Sequence, residues 1–260
     1  MQVFFHTRLS GVCLIILLLL AWEASVRSGA VQSDNWPAFS AVLDSFWRGT
    51  ASGELPRVIA SSLWRMARGY AAGCALAIVL GIALATLPAL RRALQPMIEF
   101  IRPSPAPAII PPLMFLLGVD DGLKVFVVAF AVFFPVLINT ASGVASVDNV
   151  YLQVARTFGL SRLATLWRVV LPACLPHILA GMRISLALAL IVTVVVELTA
   201  GSQGIGHYVM SMQFASRAAD MYAAIVMLTV VGYALNRGFV AFESRLLHWS
   251  RLRETMAVAA

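Results

Sequence analysis

Two stretches of the sequence, Gly69–Leu90 and Val125–Val147, run for 22 and 23 residues without a charged side chain. A helix needs about 20 mostly apolar residues to cross the hydrocarbon of a bilayer. In hydrocarbon every backbone N–H and C=O must find its partner inside the protein, so stretches of this length have one economical solution, the α-helix. Composition agrees: 60% of the 260 residues are hydrophobic and 12% are charged, against roughly 25% charged in a soluble domain. The sequence predicts an all-α, polytopic membrane protein.

Four further segments complete an expected set of six helices. Ile178–Ala200 is equally apolar although it carries Arg183 and Glu197, and Met221–Asn236 extends naturally to Phe242. Ile98–Val119 holds Pro103, Pro105, Pro107, Pro111 and Pro112. Broken backbone is tolerated at membrane depth where neighbours or a cavity satisfy it, so this segment reads as a short, irregular span lining the interior. Leu9–Trp22 follows Arg8 and precedes small residues at Ser25, Ser28 and Ala30, a pattern shared by a first helix and a cleaved signal sequence. A retained first helix is the preferred reading, since losing one span would put the N-terminus of the mature chain outside.

The arginines orient the set. With the N-terminus inside, ten of them, Arg91, Arg92, Arg156, Arg162 and Arg168 included, fall on the cytoplasmic side against Asp148, Glu243 and Glu254. The outer segments hold six basic residues, with Arg65 and Lys124 among them, against seven acids. This inside-positive bias places both termini and the loop 148–172 in the cytoplasm. Segment 31–64 is too polar to span, and its apolar residues Trp36, Phe39, Val42, Leu43, Phe46 and Trp47 recur at helical steps. An amphipathic helix on the outer surface is expected there. No internal repeat or long linker divides the chain, so one membrane domain over 1–260 is the economical count.

Several function classes lack support. The net charge of +7 comes from single basic residues scattered between apolar spans, without the basic stripe and interleaved aromatics of a nucleic-acid surface. Cys13, Cys74 and Cys174 form no Cys-x-x-Cys and have no histidine at ligand spacing, which argues against a disulfide framework or a metal site. His6, His177, His207 and His248 are isolated from useful carboxylates, and none is assigned to catalysis or metal. There is no Gly-x-x-x-x-Gly-Lys-Ser/Thr phosphate loop, so no ATP or other cofactor is expected on this chain.

One loop points to a specific task. Asp148 is placed to cap a short helix through Phe158, Gly159 to end it in the left-handed conformation, and Ser161 to cap a second helix. In that second helix Leu163, Leu166, Trp167, Val170 and Leu171 share a face, which is expected to pack, and Pro172 and Pro176 are expected to stop the run. Gln153-Val154-Ala155, Gly159, Val169, Leu171 and Pro172 fall at the spacing of the Glu-Ala-Ala loop. They resemble the cytoplasmic loop by which permease subunits of bacterial ABC importers grip their ATPase, with Gln153 and Val154 departing from the motif.

The resemblance extends to Arg102-Pro103-x-Pro105-x-Pro107, Ile110-Pro111-Pro112-Leu113, Phe133-Phe134-Pro135-x-x-x-Asn139-Thr140, Ala180-Gly181-x-Arg183-x-Ser185, Glu197-Leu198 and Gly204-Ile205-Gly206. These segments are similar to the permeases of nitrate, aliphatic sulfonate and taurine importers over roughly residues 60 to 245. The resemblance implies a type I importer permease fold and a homodimer in the inner membrane surrounded by lipid. It also implies two copies of a separate ATPase carrying ATP and magnesium, and an external substrate-binding protein. On it, Gln153, Val154, Ala155, Arg156, Gly159, Arg162, Leu171 and Pro172 are the candidate ATPase-coupling residues. Pro103, Pro107, Pro111, Asn139, Glu197, Gly204 and Gly206 are candidates for the translocation path or gate.

Other polar residues have local readings. Glu99 and Arg102 are expected to pair at i, i+3. Arg183 lies near the inner end of its span and is expected to snorkel. Glu197 is fourteen residues from Arg183 on one helix, about 21 Å along its axis, so the two are not a salt bridge; a structural and a gating role for Glu197 stand about even. The rival class is a secondary transporter or channel independent of ATP, which usually carries inverted repeats and several intramembrane titratable groups.

Overall fold

The computed structural model describes residues 8–31 and 33–247, and these contain helix and turn without a strand. Eleven α-helices follow in order: α1 Arg8–Arg27, α2 Phe39–Ala51, α3 Glu54–Thr86, α4 Pro88–Ile101, α5 Ile110–Leu117, α6 Asp121–Ala145, α7 Asn149–Thr157, α8 Arg162–Thr165, α9 Leu171–Ala200, α10 Ile205–Phe214 and α11 Ala218–Leu246. A 3-10 turn, Ala106–Ile109, precedes α5, and a π-helical turn, Leu166–Val170, joins α8 to α9. Four runs are long and apolar enough to cross a membrane: α3, α6, the continuous Arg162–Ala200 and α11. The segments Pro88–Ile101 and Ala106–Leu117 are apolar enough together but are bent by 89° at the break between them, the geometry of a broken span or a re-entrant loop. The sixth expected span, Leu9–Trp22, falls on α1, a helix of 20 residues.

Several boundaries differ from expectation. The region 31–64 is not one surface helix: α2 ends at Ala51, and α3 begins at Glu54 and runs for 33 residues. Its early arginines are compatible with a long helix because Arg65 is buried against carboxylates. The same helix stops at Thr86 rather than Leu90, because Pro88 forces the preceding Leu87 into extended backbone, φ −117 and ψ 93. Prolines 107, 111 and 112 do not break their helices; they sit in first turns, where the missing N–H has no partner to lose. Only the stretch around Pro103 and Pro105 breaks the span. His6 and His248 lie outside the described residues.

The chain divides into two compact units. In one, formed by residues up to Ser61 and Ser202–Val230, Trp22 packs at tilted and edge-on angles against Trp36, Phe39 and Tyr222, with ring centroids 5.1, 5.5 and 5.6 Å away. Beside this cluster Glu23 accepts from the Ser40 N–H at 3.0 Å and its hydroxyl at 2.8 Å. A carboxylate from α1 therefore caps the first turn of α2, whose own flanking residue Ala38 has no side chain able to do so. These hydrogen bonds, the backbone one first, hold the Glu23 carboxyl below its usual range.

The other unit, Ser62–Gly201 with residues from Val231 onward, is built on α3, α6 and α9. Between membrane helices close approach replaces the hydrophobic effect as the adhesive, and small residues permit it. A Cβ on Gly69 would lie 2.7 Å from the Val125 carbonyl oxygen, on Gly73 2.6 Å from that of Ala129, and on Gly81 2.8 Å from the Thr140 Cβ. With the fully buried Ala77 these form a stripe at every fourth residue of α3. Gly143 and Gly181 do the same between α6 and α9, against His177 and Asn139. The resulting core is largely β-branched, with Val127, Val128, Val132, Val136 and Val196 fully enclosed.

Candidate functional site

The loop between α6 and α9 is assembled from local signals. Asp148 Oδ1 accepts from the Val150 N–H at 2.9 Å and starts α7. At the other end Gly159 has φ +68, its N–H bonds the Arg156 carbonyl at 2.9 Å, and the Leu160 N–H reaches back to the Ala155 carbonyl at 3.0 Å. That pair of bonds is a Schellman ending, which satisfies the last carbonyls of the helix and requires the left-handed residue found there. Ser161 Oγ then accepts from the Ala164 N–H at 3.2 Å and starts α8.

Beyond α8 the outcome differs from the sequence reading, because Pro172 and Pro176 do not stop the helix. The backbone widens into the π turn, where the Leu171 N–H bonds the Leu166 carbonyl, and continues to Ala200. Pro172 enters in the first turn of α9. A proline in an unbroken α-helix would lose its bond and clash with the carbonyl four residues back; a π turn shifts the local pattern and lets the chain pass. The loop from Arg162 onward and the third apolar span are thus one continuous helix, Arg162–Ala200.

Burial divides the coupling candidates. Ala155 is 3% exposed and is the small inward residue of α7, while Gln153, Val154, Arg156, Gly159 and Arg162 face outward. Leu171 is half-buried and Pro172 is exposed. The expected packing face of the second helix is only partly packed: Val170 is buried, yet Leu163 and Trp167 are about two-thirds exposed. On α7 the residues Val150, Tyr151, Val154 and Phe158 also stand exposed, Phe158 at 79%. Their steps of one, three and four put them on one helix face. Tyr151 and Phe158 were absent from the expected set, although that spacing is visible in the sequence.

The path candidates lie on several different elements. Pro103 lies in the bend between α4 and the 3-10 turn, Pro107 in that turn and Pro111 in the first turn of α5. Asn139 Nδ2 donates to the Pro135 carbonyl at 2.8 Å, and its Cβ packs where Gly181 leaves room, a helix-packing role. Gly204, with φ +111, precedes α10, and Gly206 is buried in that helix.

Glu197 belongs to a charged cluster that was not anticipated. Its fully buried carboxylate accepts from the Ser62 hydroxyl at 2.7 Å and lies 3.2 Å from Arg65 Nη1. Arg65 Nε also donates to Asp121 at 2.5 Å. Asp121 lies 3.2 Å from Arg68 and 3.6 Å from Lys124, and Lys124 is itself only 2% exposed. Lys124, expected among the outer-segment charges, is a core residue. A buried charge must be paired and hydrogen-bonded to be tolerated, and the cluster ties α3, α6 and α9 together on that condition. Arg183 is half exposed and lies 3.8 Å from Glu243. Glu99 and Arg102 form no ion pair; the Glu99 carboxylate accepts from Gln95 Nε2 at 2.8 Å instead. Among the described residues no group of three or more His, Cys, Asp or Glu side chains could hold a metal ion.

Residues 77–248 match the family described as binding-protein-dependent transport system inner membrane component. The putative aliphatic sulfonates transport permease protein of Bacillus subtilis is 30% identical over 93% of this chain and 87% of its own length. The taurine transport system permease protein of Escherichia coli is 34% identical over 74% of this chain and 70% of its own. The nitrate import permease protein of Leptolyngbya laminosa is 31% identical over 86% and 81%. Among solved structures, the inward-facing MetNI methionine ABC transporter superposes with a TM-score of 0.66 over 74% of this chain and 95% of that one. At 14% identity this likeness is one of fold.

Proposed function

From the premise that this chain belongs to the family of inner membrane components of binding-protein-dependent transport systems, we propose that it forms the translocation path for a small anion, sulfonate, taurine or nitrate in kind, and is driven by a separate cytoplasmic ATPase. The chain is a multi-pass permease of an ABC importer. Two copies of it, two ATPase subunits and an external binding protein make the working assembly, with both termini cytoplasmic.

One observation carries the coupling role. The α7–α8 knob is rigidly capped at three points, yet it presents Val150, Tyr151, Val154, Phe158, Leu163 and Trp167 to the outside. Exposed apolar clusters on a rigid element mark partner surfaces, and the continuous helix from Arg162 to Ala200 would carry a displacement of that surface into the membrane.

Co-purification of the ATPase with the full chain tests this reading. Phe158→Asp and Trp167→Asp are expected to lower recovery of the ATPase about tenfold or more, with the permease level in the membrane unchanged. Normal recovery with both variants would exclude this face as the docking surface. A reporter fused after Arg162 is expected to be cytoplasmic and one near Asp44 external; the reverse would overturn the orientation.

A further inference from the structure

The second half of α11 leaves a groove where it runs beside α3 and α9. Its volume is about 670 Å³, and every side chain that lines it is apolar except Tyr70. The Tyr70 hydroxyl donates to the Met182 carbonyl at 2.8 Å, so the one polar group on the wall is already satisfied by the protein. Burying a polar group without a partner is costly. The part of an occupant that touches this groove is therefore apolar.

The dimensions narrow the occupant further. On α11 the lining runs from Val231 to Phe242 along one helix face, which is about 16 Å of axis. Half of the hydrocarbon core of a bilayer is about 15 Å, so the groove is as long as one acyl chain is deep. Gly238 lines it with bare backbone, where a Cβ would meet nothing within 4 Å. Beside it Phe239 and Phe242, with ring centroids 6.1 Å apart, form an aromatic wall.

One end of the groove is charged. Arg183 follows the lining residue Met182 in α9 and Glu243 follows Phe242 in α11, and their side chains meet at 3.8 Å. Arg245, three residues beyond Phe242, continues the lined face of α11 into its last turn. Both arginines are exposed, as groups at a membrane surface are. Two cations against one carboxylate leave this end positive.

We infer that the groove holds one acyl chain of an anionic phospholipid, whose headgroup phosphate lies on Arg183 and Arg245. Guanidiniums match phosphate oxygens through parallel N–H donors. On the orientation proposed above this end is cytoplasmic, the side where anionic lipids attract basic residues. The bound chain packs between α11, α3 and α9. The inference needs only that these helices cross a bilayer, and it stands apart from the identity of the transported solute.

Native mass spectrometry of the purified full chain in detergent, titrated with dioleoyl phosphatidylglycerol or dioleoyl phosphatidylcholine, tests it. The wild type is expected to bind a first phosphatidylglycerol about tenfold more tightly than phosphatidylcholine. Arg245→Gln should bring the two lipids within about threefold of each other. Gly238→Leu, whose Cβ meets no protein atom, fills the groove and should weaken the first phosphatidylglycerol about tenfold or more, because several methylenes lose their burial. Should Gly238→Leu fail to fold, Ala234→Leu on the same wall carries the same expectation. Equal binding of the two lipids by the wild type, a tenfold preference that survives Arg245→Gln, or lipid binding unchanged by the groove-filling variants would overturn the inference. So would loss of dimers with lipid binding intact in Gly238→Leu, since a second copy of the chain would then occupy the groove.

Discussion

The Glu197 carboxylate lies 3.2 Å from the Arg65 guanidinium, and both side chains are shut away from the surroundings, at 0% and 6% exposure. They are 132 residues apart in the chain, so this contact clasps the last turn of α9 to the N-terminal part of α3. Removing one partner of a buried pair costs about 3–5 kcal/mol when the other is left alone; without Glu197 the Arg65 guanidinium keeps Asp121, so the cost falls at or below the lower end of that range. Glu197→Gln is therefore expected to lower the thermal unfolding midpoint clearly in detergent, and Arg65→Met/Glu197→Met to lose less than the sum of the single changes. Wild-type melting of Glu197→Gln would show that the clasp contributes nothing.

At Gly159, φ is +68 and a Cβ would meet nothing within 4 Å, so the constraint is backbone conformation and not space. A left-handed residue with a branched side chain costs about 1–2 kcal/mol, whereas asparagine is tolerated there. Gly159→Val is expected to abolish transport and ATPase recovery while leaving the subunit in the membrane, and Gly159→Asn to keep most of both. Substrate uptake alongside co-purification distinguishes the two; normal transport by the valine variant would remove the loop from the coupling role.

Gln153 is exposed, and its backbone carbonyl accepts from the Thr157 hydroxyl at 3.1 Å. Restoring the motif's acid with Gln153→Glu adds an exposed charge contact, worth at most about 1 kcal/mol. ATPase association should change less than about fivefold. A larger loss at constant permease level would identify Gln153 as a specificity element.

The α3 stripe predicts a contrast between glycines. Gly73→Val forces a side chain where a Cβ would already be 2.6 Å from the Ala129 carbonyl oxygen, and overpacking of this kind costs about 1–3 kcal/mol. Gly238→Ala, with nothing within 4 Å, is expected to be neutral or slightly stabilising, because alanine is the better helix former. Thermal unfolding of the two variants side by side checks this; equal effects would mean that α3 and α6 are not held by close approach.

Glu23 sets a pH dependence. Its carboxyl, just beyond the predicted first span, is held below the ordinary value of 4.5 by the Ser40 N–H and hydroxyl. A depressed folded pKa contributes stability that is present above the unfolded value and is lost as pH falls through the folded one. Protease sensitivity of the 28–38 segment should therefore stay constant at neutral pH and rise below about 4.5. Glu23→Gln should show raised sensitivity at neutral pH and little further change on acidification.

Reading the sequence alone recovered what depends on near neighbours. The charge-free stretches required helices, the Pro103 region announced the bent span, and Asp148, Gly159 and Ser161 marked the caps of the loop. Each of these is a contest between a residue and the backbone within four or five positions, which a linear pattern records. The stripe Gly69, Gly73, Ala77 and Gly81 was equally open to reading, because a spacing of four is a helix face.

The tertiary structure alone decided the rest. Nothing local distinguishes Arg65 from a surface charge, and its burial depends on Glu197 and Asp121 arriving from other helices; Lys124 meets Asp121 within its own helix, yet packing alone encloses it. Proline rules predicted a stop at Pro172, yet the π turn carried the helix through. Glu99 and Arg102 had suitable spacing to pair, yet they line one cavity without doing so. Sequence determined which segments are helices and where they are capped, because those energies are local; which charges are enclosed and which apolar faces stay open was decided by packing, because burial is a property of the assembled helices.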